Sequence, residues 1–316
     1  ILFSSIFYTE TLFTVLFGIF LLLFLNFLKI PSTQSAVLAG LFLGLATLTK
    51  PTVEYLVIIA IIFALWRFRG DLRKDILLKL GCFFSLFLIV LSPWLYRNYR
   101  TFNILNLSAQ IPFNLYMTLL PSVLAIENHS SFRAEQERLQ VDPKDIMFSM
   151  SKSFSQKAIN EIAHYPIALI KLSILNSVTF FTHDGMLTFL QAAGIKPEVY
   201  LERPVLIMFI NAPGQFVKIM WTYMHTAMAY VFFARLFWIA VTIFFVLGLY
   251  NLWRLHLFTP QLLFAVIVVF YFMLTTMING LAVNARFRMP VEPIILAVAY
   301  AGLIYTQRII KKKFVS

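Results

Sequence analysis

Ser92-Pro93-Trp94-Leu95-Tyr96-Arg97-Asn98-Tyr99-Arg100 is the stretch on which the interpretation of this chain turns. It closes an apolar run, Leu77 to Tyr96, and opens the longest polar region of the sequence. Aromatic rings settle at the headgroup layer of a bilayer, and arginine side chains reach from that depth to water or phosphate. The stretch therefore predicts a transmembrane helix that surfaces here, with Arg97 and Arg100 at the boundary between membrane and water.

The composition of the whole chain is that of a membrane protein. Of its 316 residues, 60% are hydrophobic and only 13% are charged, and the mean hydropathy is +0.82. Soluble domains have about 25% charged residues, so the composition excludes a soluble globular class. The formal charge of +12 comes without a nucleic-acid-binding motif, so we assign it to membrane orientation and lipid contact and expect no nucleic-acid partner. The single cysteine, Cys82, excludes a disulfide framework.

Seven apolar segments approach the length that crosses a bilayer, roughly 20 residues. They are Thr11–Leu28, Gln34–Thr49, Thr52–Trp66, Leu77–Tyr96, Met228–Tyr250, Pro260–Asn279 and Val291–Tyr305. We therefore predict an all-α fold, a polytopic bundle of about seven transmembrane helices with a long extracytoplasmic helical loop. The predicted regions are transmembrane helices over 1–106, the loop over 107–227 and C-terminal transmembrane helices over 228–316. In the second segment, Gly40-x-x-x-Gly44 has the spacing of close helix packing.

Lysine and arginine residues cluster in alternate connections, which the positive-inside rule assigns to the cytoplasm. These connections contain Lys29; Arg67, Arg69, Arg73, Lys74 and Lys79; Arg254; and Arg308, Lys311, Lys312 and Lys313. The remaining connections are then extracytoplasmic. Arg97 and Arg100 are predicted to face outward.

The predicted extracytoplasmic loop contains an amphipathic helix. It begins at Asp142-Pro143, the pattern of an N-cap followed by a proline at the first helical position, and it ends near Tyr165, before Pro166. Apolar and polar side chains lie on opposite faces. The apolar set is Met147, Met150, Phe154, Ala158 and Ile162, and the polar set is Lys152, Gln156, Lys157 and Glu161. The apolar segment 166–181 contains Lys171, and we predict that it lies in the membrane interface without crossing.

Five cationic residues lie at the predicted outer ends of the helices: Lys50, Arg97, Arg100, Arg286 and Arg288. Snorkelling to lipid headgroups would account for any one of them. Because positive charge is normally biased towards the cytoplasm, five cations at one level favour a shared anionic ligand. The guanidinium fork suits phosphate oxygens. We therefore predict that these residues bind the phosphate of a lipid-linked ligand.

Glu10 stands at the outer mouth of the first segment. It either stabilises a helix N-terminus, which contributes about 0.3–1 kcal/mol, or belongs to a catalytic or substrate-positioning cavity. Both interpretations stay open, and the same holds for Glu292. The histidines show no metal-ligand spacing, the pair His183-Asp184 included. We predict no metal site and no other cofactor from the residues, and a divalent metal ion stays an open alternative.

Four motifs occur in the order and helix contexts of one family. They are Tyr8–Phe13 (YTETLF), Gly44–Pro51 (GLATLTKP), Pro93–Tyr99 (PWLYRNY) and Arg286–Pro293 (RFRMPVEP). Together they resemble polytopic glycosyltransferases of the GT-C fold, in the bacterial branch of dolichyl-phosphate-mannose-protein mannosyltransferase-like and lipopolysaccharide-sugar transferases. The segment Ala158–Pro166 is similar to the outer-loop helix of that family. Lys50 stands where the family usually has arginine, which keeps the charge and loses the fork.

The resemblance implies a hexosyl or pentosyl transferase at the periplasmic face of a bacterial inner membrane. The donor would be a polyprenyl-phosphate-linked sugar, the acceptor a lipid, glycan or protein, and the anomeric carbon would invert. The family's presumed base is an aspartate in the first outer loop, so we expect a fragment whose base lies upstream of Ile1. Glu10 is carried over as a supporting cavity residue. Lys50, Arg97, Arg286 and Arg288 are carried over as supporting cavity residues as well, and with Arg100 they form the predicted donor-phosphate site.

The alternative class is a transporter or flippase of an anionic lipid or solute, which would use the same cations. It predicts charged residues near the middle of the helices, and the predicted spans contain almost none. A subunit without activity is a third possibility, favoured only if the upstream segment is also missing in the cell.

Overall fold

A computed structural model of the chain describes residues 9–70, 74–139, 151–195, 213–226 and 228–315. Within these ranges every regular element is a helix and no strand occurs. Five helical stretches of the described residues are long and apolar enough to cross a bilayer: Thr9–Lys29, Lys74–Phe102, Ala229–Arg254, Pro260–Ala282 and Met289–Arg308. The predicted all-α, polytopic membrane bundle is confirmed.

The helices are, in chain order, α1 Thr9–Lys29, α2 Thr33–Thr49, α3 Leu56–Arg67, α4 Lys74–Phe102, α5 Gln110–Asn114, α6 Leu120–Glu127, α7 Phe132–Arg138, α8 Ser151–Ile162, α9 Pro166–Thr182, α10 Met186–Ala192, α11 Pro213–Met224, α12 Ala229–Arg254, α13 Pro260–Thr276 and α14 Glu292–Val315. A π-helical turn, Leu115–Leu119, joins α5 to α6. Short 3-10 turns occupy Pro51–Val53, Met277–Ala282, Ala285–Phe287 and Met289–Val291.

Each of the seven predicted spans contains a helix, with differences at the ends. α3 begins only at Leu56 because Pro51–Val53 form a 3-10 turn. α4 continues past the predicted surfacing point at Tyr96 to Phe102. At 17 and 12 residues, α2 and α3 are shorter than the roughly 20 residues of a complete span.

The chain forms two compact units. Unit 1 consists of Ile1–Ser108, Leu249–Phe272 and Met289–Ala297, and unit 2 of Ala109–Gly248, Met273–Arg288 and Val298–Ser316. The predicted regions 1–106, 107–227 and 228–316 separate transmembrane helices from an extracytoplasmic loop, and this division into compact units does not test them.

Unit 1 is built around phenylalanines of α1. Its buried rings recur at alternating spacings of four and three residues: Phe13, Phe17, Phe20, Phe24 and Phe27. Phe272 of α13 packs against the Phe17 ring at 5.1 Å, and Phe264 against the Phe24 ring at 4.7 Å. α13 therefore runs antiparallel to α1. Such ring pairs each contribute about 0.5–1.5 kcal/mol beyond the area they bury.

Two glycines bring α2 against α4. A Cβ atom on Gly40 would lie 2.2 Å from the carbonyl oxygen of Phe83, and one on Gly44 would lie 2.9 Å from the Val90 side chain. This confirms the packing interpretation of the Gly40-x-x-x-Gly44 motif. Near the start of both helices, Lys79 donates to the carbonyl oxygen of Pro31 at 3.1 Å. α2 and α4 are therefore parallel, and their C-terminal ends lie at the same end of unit 1.

In unit 2, α8 has the amphipathic faces that the sequence predicts. Phe154, Ala158 and Ile162 are buried, whereas Gln156, Lys157 and Glu161 are exposed. The buried face packs on apolar residues of α6 and α9, among them Val123 and Leu172. The predicted helix start at Asp142 and the side chains of Met147, Met150 and Lys152 lie outside the described residues.

Two observations are relevant to the predicted position of α8 and α9 in the membrane interface: what packs on α8, and the bend between the two helices. Protein covers the apolar face of α8, so that face needs no lipid to explain it. α8 and α9 are bent by 100° at the break before Pro166. The interfacial positions of α8 and of segment 166–181 stay predictions.

Candidate functional site

At one end of unit 1, α1 begins beside the end of α2. The Lys50 Nζ lies 3.6 Å from Glu10 Oε1 and 5.7 Å from the centre of the Phe13 ring. Glu10 is buried at the start of α1, where the helix dipole also favours its negative charge. The structure thus joins two of the predicted site residues. It supports the helix-terminus interpretation of Glu10 without excluding a role in a cavity.

This corner is incompletely satisfied. Glu10 Oε2 and the hydroxyl oxygens of Thr11 and Thr14 are buried without a hydrogen-bond partner among the described residues. A buried polar group left unpaired costs about 1–3 kcal/mol. Among the described residues, these three atoms therefore make the start of α1 a candidate functional region.

Arg97 lies in the part of α4 that continues beyond an internal proline, Pro93. Pro93 has no N–H, which leaves the carbonyl of Ile89 without its helical partner. The Ser92 hydroxyl donates to that carbonyl at 2.9 Å. The helix can therefore continue through Pro93 and carry Arg97 one turn further.

The chain that leaves α4 is bound back onto it. Trp94 Nε1 donates to the carbonyl oxygen of Leu107 at 2.9 Å, and the buried Asn98 Nδ2 donates to that of Asn106 at 2.8 Å. Arg97 Nη1 in turn donates to Asn98 Oδ1 at 3.0 Å. These bonds fix the position from which the Arg97 side chain extends.

An apolar groove of about 390 Å³ lies between α2 and α4, lined by Leu48, Val90, Pro93 and Trp94. Val90, Trp94 and Arg97 are spaced by four and three residues, so they share one face of α4. The guanidinium carbon of Arg97 lies 5.0 Å from the centre of the Trp94 ring. A hydrocarbon chain suits this groove, and an anionic group at its end would meet the guanidinium.

Arg100 and Glu292 also belong to unit 1. Arg100 is exposed one turn beyond Arg97 on α4, where i and i+3 side chains are neighbours. Glu292 is the first residue of α14, an acidic side chain in a first turn. Its position agrees with stabilisation of the helix dipole.

The other two predicted cations, Arg286 and Arg288, belong to unit 2. Arg288 is fully buried, and its Nη1 donates to the carbonyl oxygens of Phe180 and Phe181 at 2.7 and 2.6 Å. Its Nη2 donates to the carbonyl oxygen of His183 at 2.9 Å. Carbonyls at a helix C-terminus have no helical partner and carry partial negative charge. Arg288 therefore caps the C-terminus of α9. Phosphate binding by Arg288 stays a prediction, and it would require the guanidinium to release these carbonyl oxygens.

Arg286 has a different environment. It is half-buried, with its guanidinium carbon 5.0 Å from the centre of the Phe287 ring. Its Nε is buried and has no hydrogen-bond partner among the described residues. Asn284 Oδ1 accepts from the backbone N–H of Arg286 at 3.1 Å. Unlike Arg288, Arg286 has guanidinium donor capacity that these contacts leave unused.

A group of polar residues at the start of α10 forms contacts that the sequence does not predict. His183 Nδ1 accepts from the backbone N–H groups of Gly185 and Ala285 at 3.1 and 3.3 Å. The ring proton of the neutral imidazole is therefore on Nε2. Burial lowers the pKa of His183 to about 4; the neighbouring Arg235 and Arg288 act in the same direction, and Asp184 opposes them.

Asp184 completes this group. Its Oδ2 accepts from Arg235 Nε at 2.7 Å, and its Oδ1 accepts from the backbone N–H of Met186 at the start of α10. The adjacent His-Asp pair was considered only as a metal site. No group of three or more metal-type side chains occurs among the described residues. His183 and Asp184 also contact Ala285 and Arg235, which are far away in the sequence, and no local pattern reveals these two contacts.

The fold defines this chain as an integral, multi-pass membrane protein of helical type. No protein-family model, no curated protein and no solved structure matches it. The resemblance to GT-C glycosyltransferases therefore rests on the four sequence motifs.

Proposed function

We propose that the protein is a glycosyltransferase that moves a sugar from a polyprenyl-phosphate donor to a lipid, glycan or protein acceptor at the outer face of a bacterial inner membrane. The observation that carries the proposal is the groove between α2 and α4 beside Arg97. It offers an apolar wall for a long hydrocarbon chain and a cation for the attached phosphate. A polyprenyl phosphate combines these two chemical properties.

The remaining groups at this end of unit 1 suit the same reaction. As the acceptor oxygen bonds to the anomeric carbon, the bond from that carbon to the phosphate oxygen breaks and negative charge grows on the departing phosphate. Fixed cations in a partly dry site stabilise that charge; Arg97, Arg100 and Lys50 are the candidates. The acceptor proton passes to a carboxylate base, the role that the resembling family gives to an aspartate of its first outer loop. Glu10, paired with Lys50, holds that cation in place.

A transporter or flippase of an anionic lipid is the competing proposal. Transport sites lie near the middle of the bilayer, between broken helices. In unit 1, Glu10, Lys50 and Arg97 instead lie at or near the ends of α1, α2 and α4. The position of these charges favours chemistry at the membrane surface.

Proteoliposomes that contain the full-length protein test the function. A panel of undecaprenyl-phosphate hexoses and pentoses is supplied with membrane lipid as acceptor, and the release of undecaprenyl phosphate is measured. Release with at least one sugar, lowered about tenfold or more by Arg97→Gln, supports a transferase. Movement of the intact donor between leaflets without release would support the flippase and contradict the proposal. Arg67→Lys, at the C-terminal end of α3, is the control that should leave release unchanged.

A further inference from the structure

The backbone around Arg286 is fixed on both sides. Before it, the N–H of Ala285 is bound by His183 Nδ1. Beyond it, the buried Arg288 side chain reaches three carbonyl oxygens at the end of α9. Arg286 thus lies between two attachment points, one residue after the first and two residues before the second.

The residues that receive these attachments also contact α12. The Arg288 guanidinium carbon lies 3.6 Å from the centre of the Trp238 ring. Thr242 Oγ1 donates to the carbonyl oxygen of Phe181 at 3.3 Å, and Asp184 ties Arg235 of α12 to the start of α10. Both attachments of the Arg286 segment therefore end on one network of contacts in unit 2.

We propose that His183 and Arg288 are positioning residues that hold Arg286 for contact with a lipid phosphate. The inference rests on the proposed function only in the role it gives Arg286. Arg286 is the cation of this segment with unused donor capacity, because it is only half-buried and its guanidinium makes no hydrogen bond among the described residues. A guanidinium held at a fixed position binds phosphate at a lower entropic cost than a free one.

The attachment through His183 depends on its protonation. The unprotonated Nδ1 accepts two N–H groups; once protonated it becomes a donor and must release both. The charged groups that face this ring are Asp184 on its own segment, Arg235 on α12 and Arg288 on the Arg286 segment. Because the pKa of His183 lies near 4, below its usual value of 6.5, the attachment is complete above about pH 6.5 and is lost as the pH falls through 4.

Hydrogen–deuterium exchange of the full-length protein in nanodiscs tests the attachment without any substrate. His183→Leu removes the acceptor, whereas His183→Asn keeps an oxygen acceptor near the Nδ1 position and does not titrate. We expect exchange in a peptide that covers 284–288 to rise about five- to tenfold in His183→Leu, the effect of one hydrogen bond, and to stay near wild type in His183→Asn. After correction for intrinsic rates, wild-type protection should fall towards pH 4 and that of His183→Asn should not. Equal exchange in wild type and His183→Leu would overturn the inference.

Retention of undecaprenyl phosphate, measured by native mass spectrometry, tests the positioning role. His183→Leu and Arg286→Gln should each lower retention about tenfold, and the double variant should lose no more than Arg286→Gln alone, because both act through one contact.

Arg288→Lys cannot span the three carbonyls and should behave like His183→Leu; if it fails to fold, the comparison of His183→Leu with His183→Asn decides. Additive losses would overturn the positioning role. Unchanged retention in Arg286→Gln would overturn it as well, while donor turnover by the wild-type protein judges the proposed function separately.

Discussion

At the scale of single residues, burial disfavours the charges of Glu10 and Lys50, and the contact between them compensates for it. Both side chains are mostly buried, so each charge depends on the other for compensation. Removing one partner of a buried pair is more costly than neutralising both, because it leaves a charge unpaired. Among the described residues, Glu10 Oε2 has no hydrogen-bond partner.

We predict that Lys50→Met lowers the stability of the protein more than Glu10→Gln does. The buried Glu10 carboxylate would lose its cation, a loss of up to about 3–5 kcal/mol, whereas Gln at position 10 removes the charge itself. The double variant should be more stable than Lys50→Met alone. Thermal unfolding in detergent measures all three.

Lys50→Arg is the matched control for this prediction. It restores the residue that the resembling family usually has and keeps the positive charge beside Glu10. Its unfolding temperature should equal that of wild type or exceed it. If Lys50→Met unfolded at the wild-type temperature, the pair would have no part in holding this end of unit 1.

Residue types alone identified the candidate cations, but they could not distinguish Arg286 from Arg288. The two residues lie on either side of Phe287, in one motif, and have the same chemistry. Their roles differ because Arg288 reaches the end of α9, more than a hundred residues earlier in the chain, and Arg286 does not. Contacts over such sequence distances leave no local pattern. The contact of His183 with Ala285 could not be predicted for the same reason.

At the scale of elements, α2 and α4 approach each other as closely as their glycines allow. The carbonyl oxygen of Phe83 occupies the space that a Cβ on Gly40 would need. Backbone cannot move aside as a flexible side chain can. Further along the two helices, Leu48 of α2 and Trp94 of α4 line the groove.

We predict that Gly40→Ala destabilises the protein by about 1–3 kcal/mol, the usual cost of overpacking. Gly81→Ala, on α4, is the control, since a Cβ there meets nothing within 4 Å. It should be neutral or stabilising by up to about 1 kcal/mol, because alanine favours helix over glycine. Thermal unfolding distinguishes the two, and equal effects would refute the close approach of the helices.

The sequence was most informative about elements with a local periodicity. The faces of α8 follow from the spacing of Phe154, Ala158 and Ile162, and the structure confirms them. The partner of that apolar face could not be predicted, because periodicity states that a face is buried and not what buries it. The late start of α3 has a local cause, the 3-10 turn at Pro51–Val53, which apolar length alone does not reveal.

At the scale of the whole molecule, composition was sufficient to predict a helical membrane protein. A chain with 60% hydrophobic residues and 13% charged residues leaves few other stable arrangements. The division into two units was not predictable, because it assigns parts of α12, α13 and α14 by contacts distant in sequence. The direction of the chain across the membrane rests on the distribution of positive charge and stays a prediction.

The central claim is that the groove between α2 and α4 holds the chain of a lipid phosphate whose head meets Arg97. Its most direct test is the retention of undecaprenyl phosphate by the full-length protein in native mass spectrometry, with phosphatidylglycerol as competitor. Leu48→Trp fills the groove from α2, whereas Ile89→Trp places the same side chain on an exposed position of α4 that does not line it. We predict that Leu48→Trp lowers retention about tenfold and that Ile89→Trp leaves it unchanged. Equal retention by wild type and Leu48→Trp would contradict it.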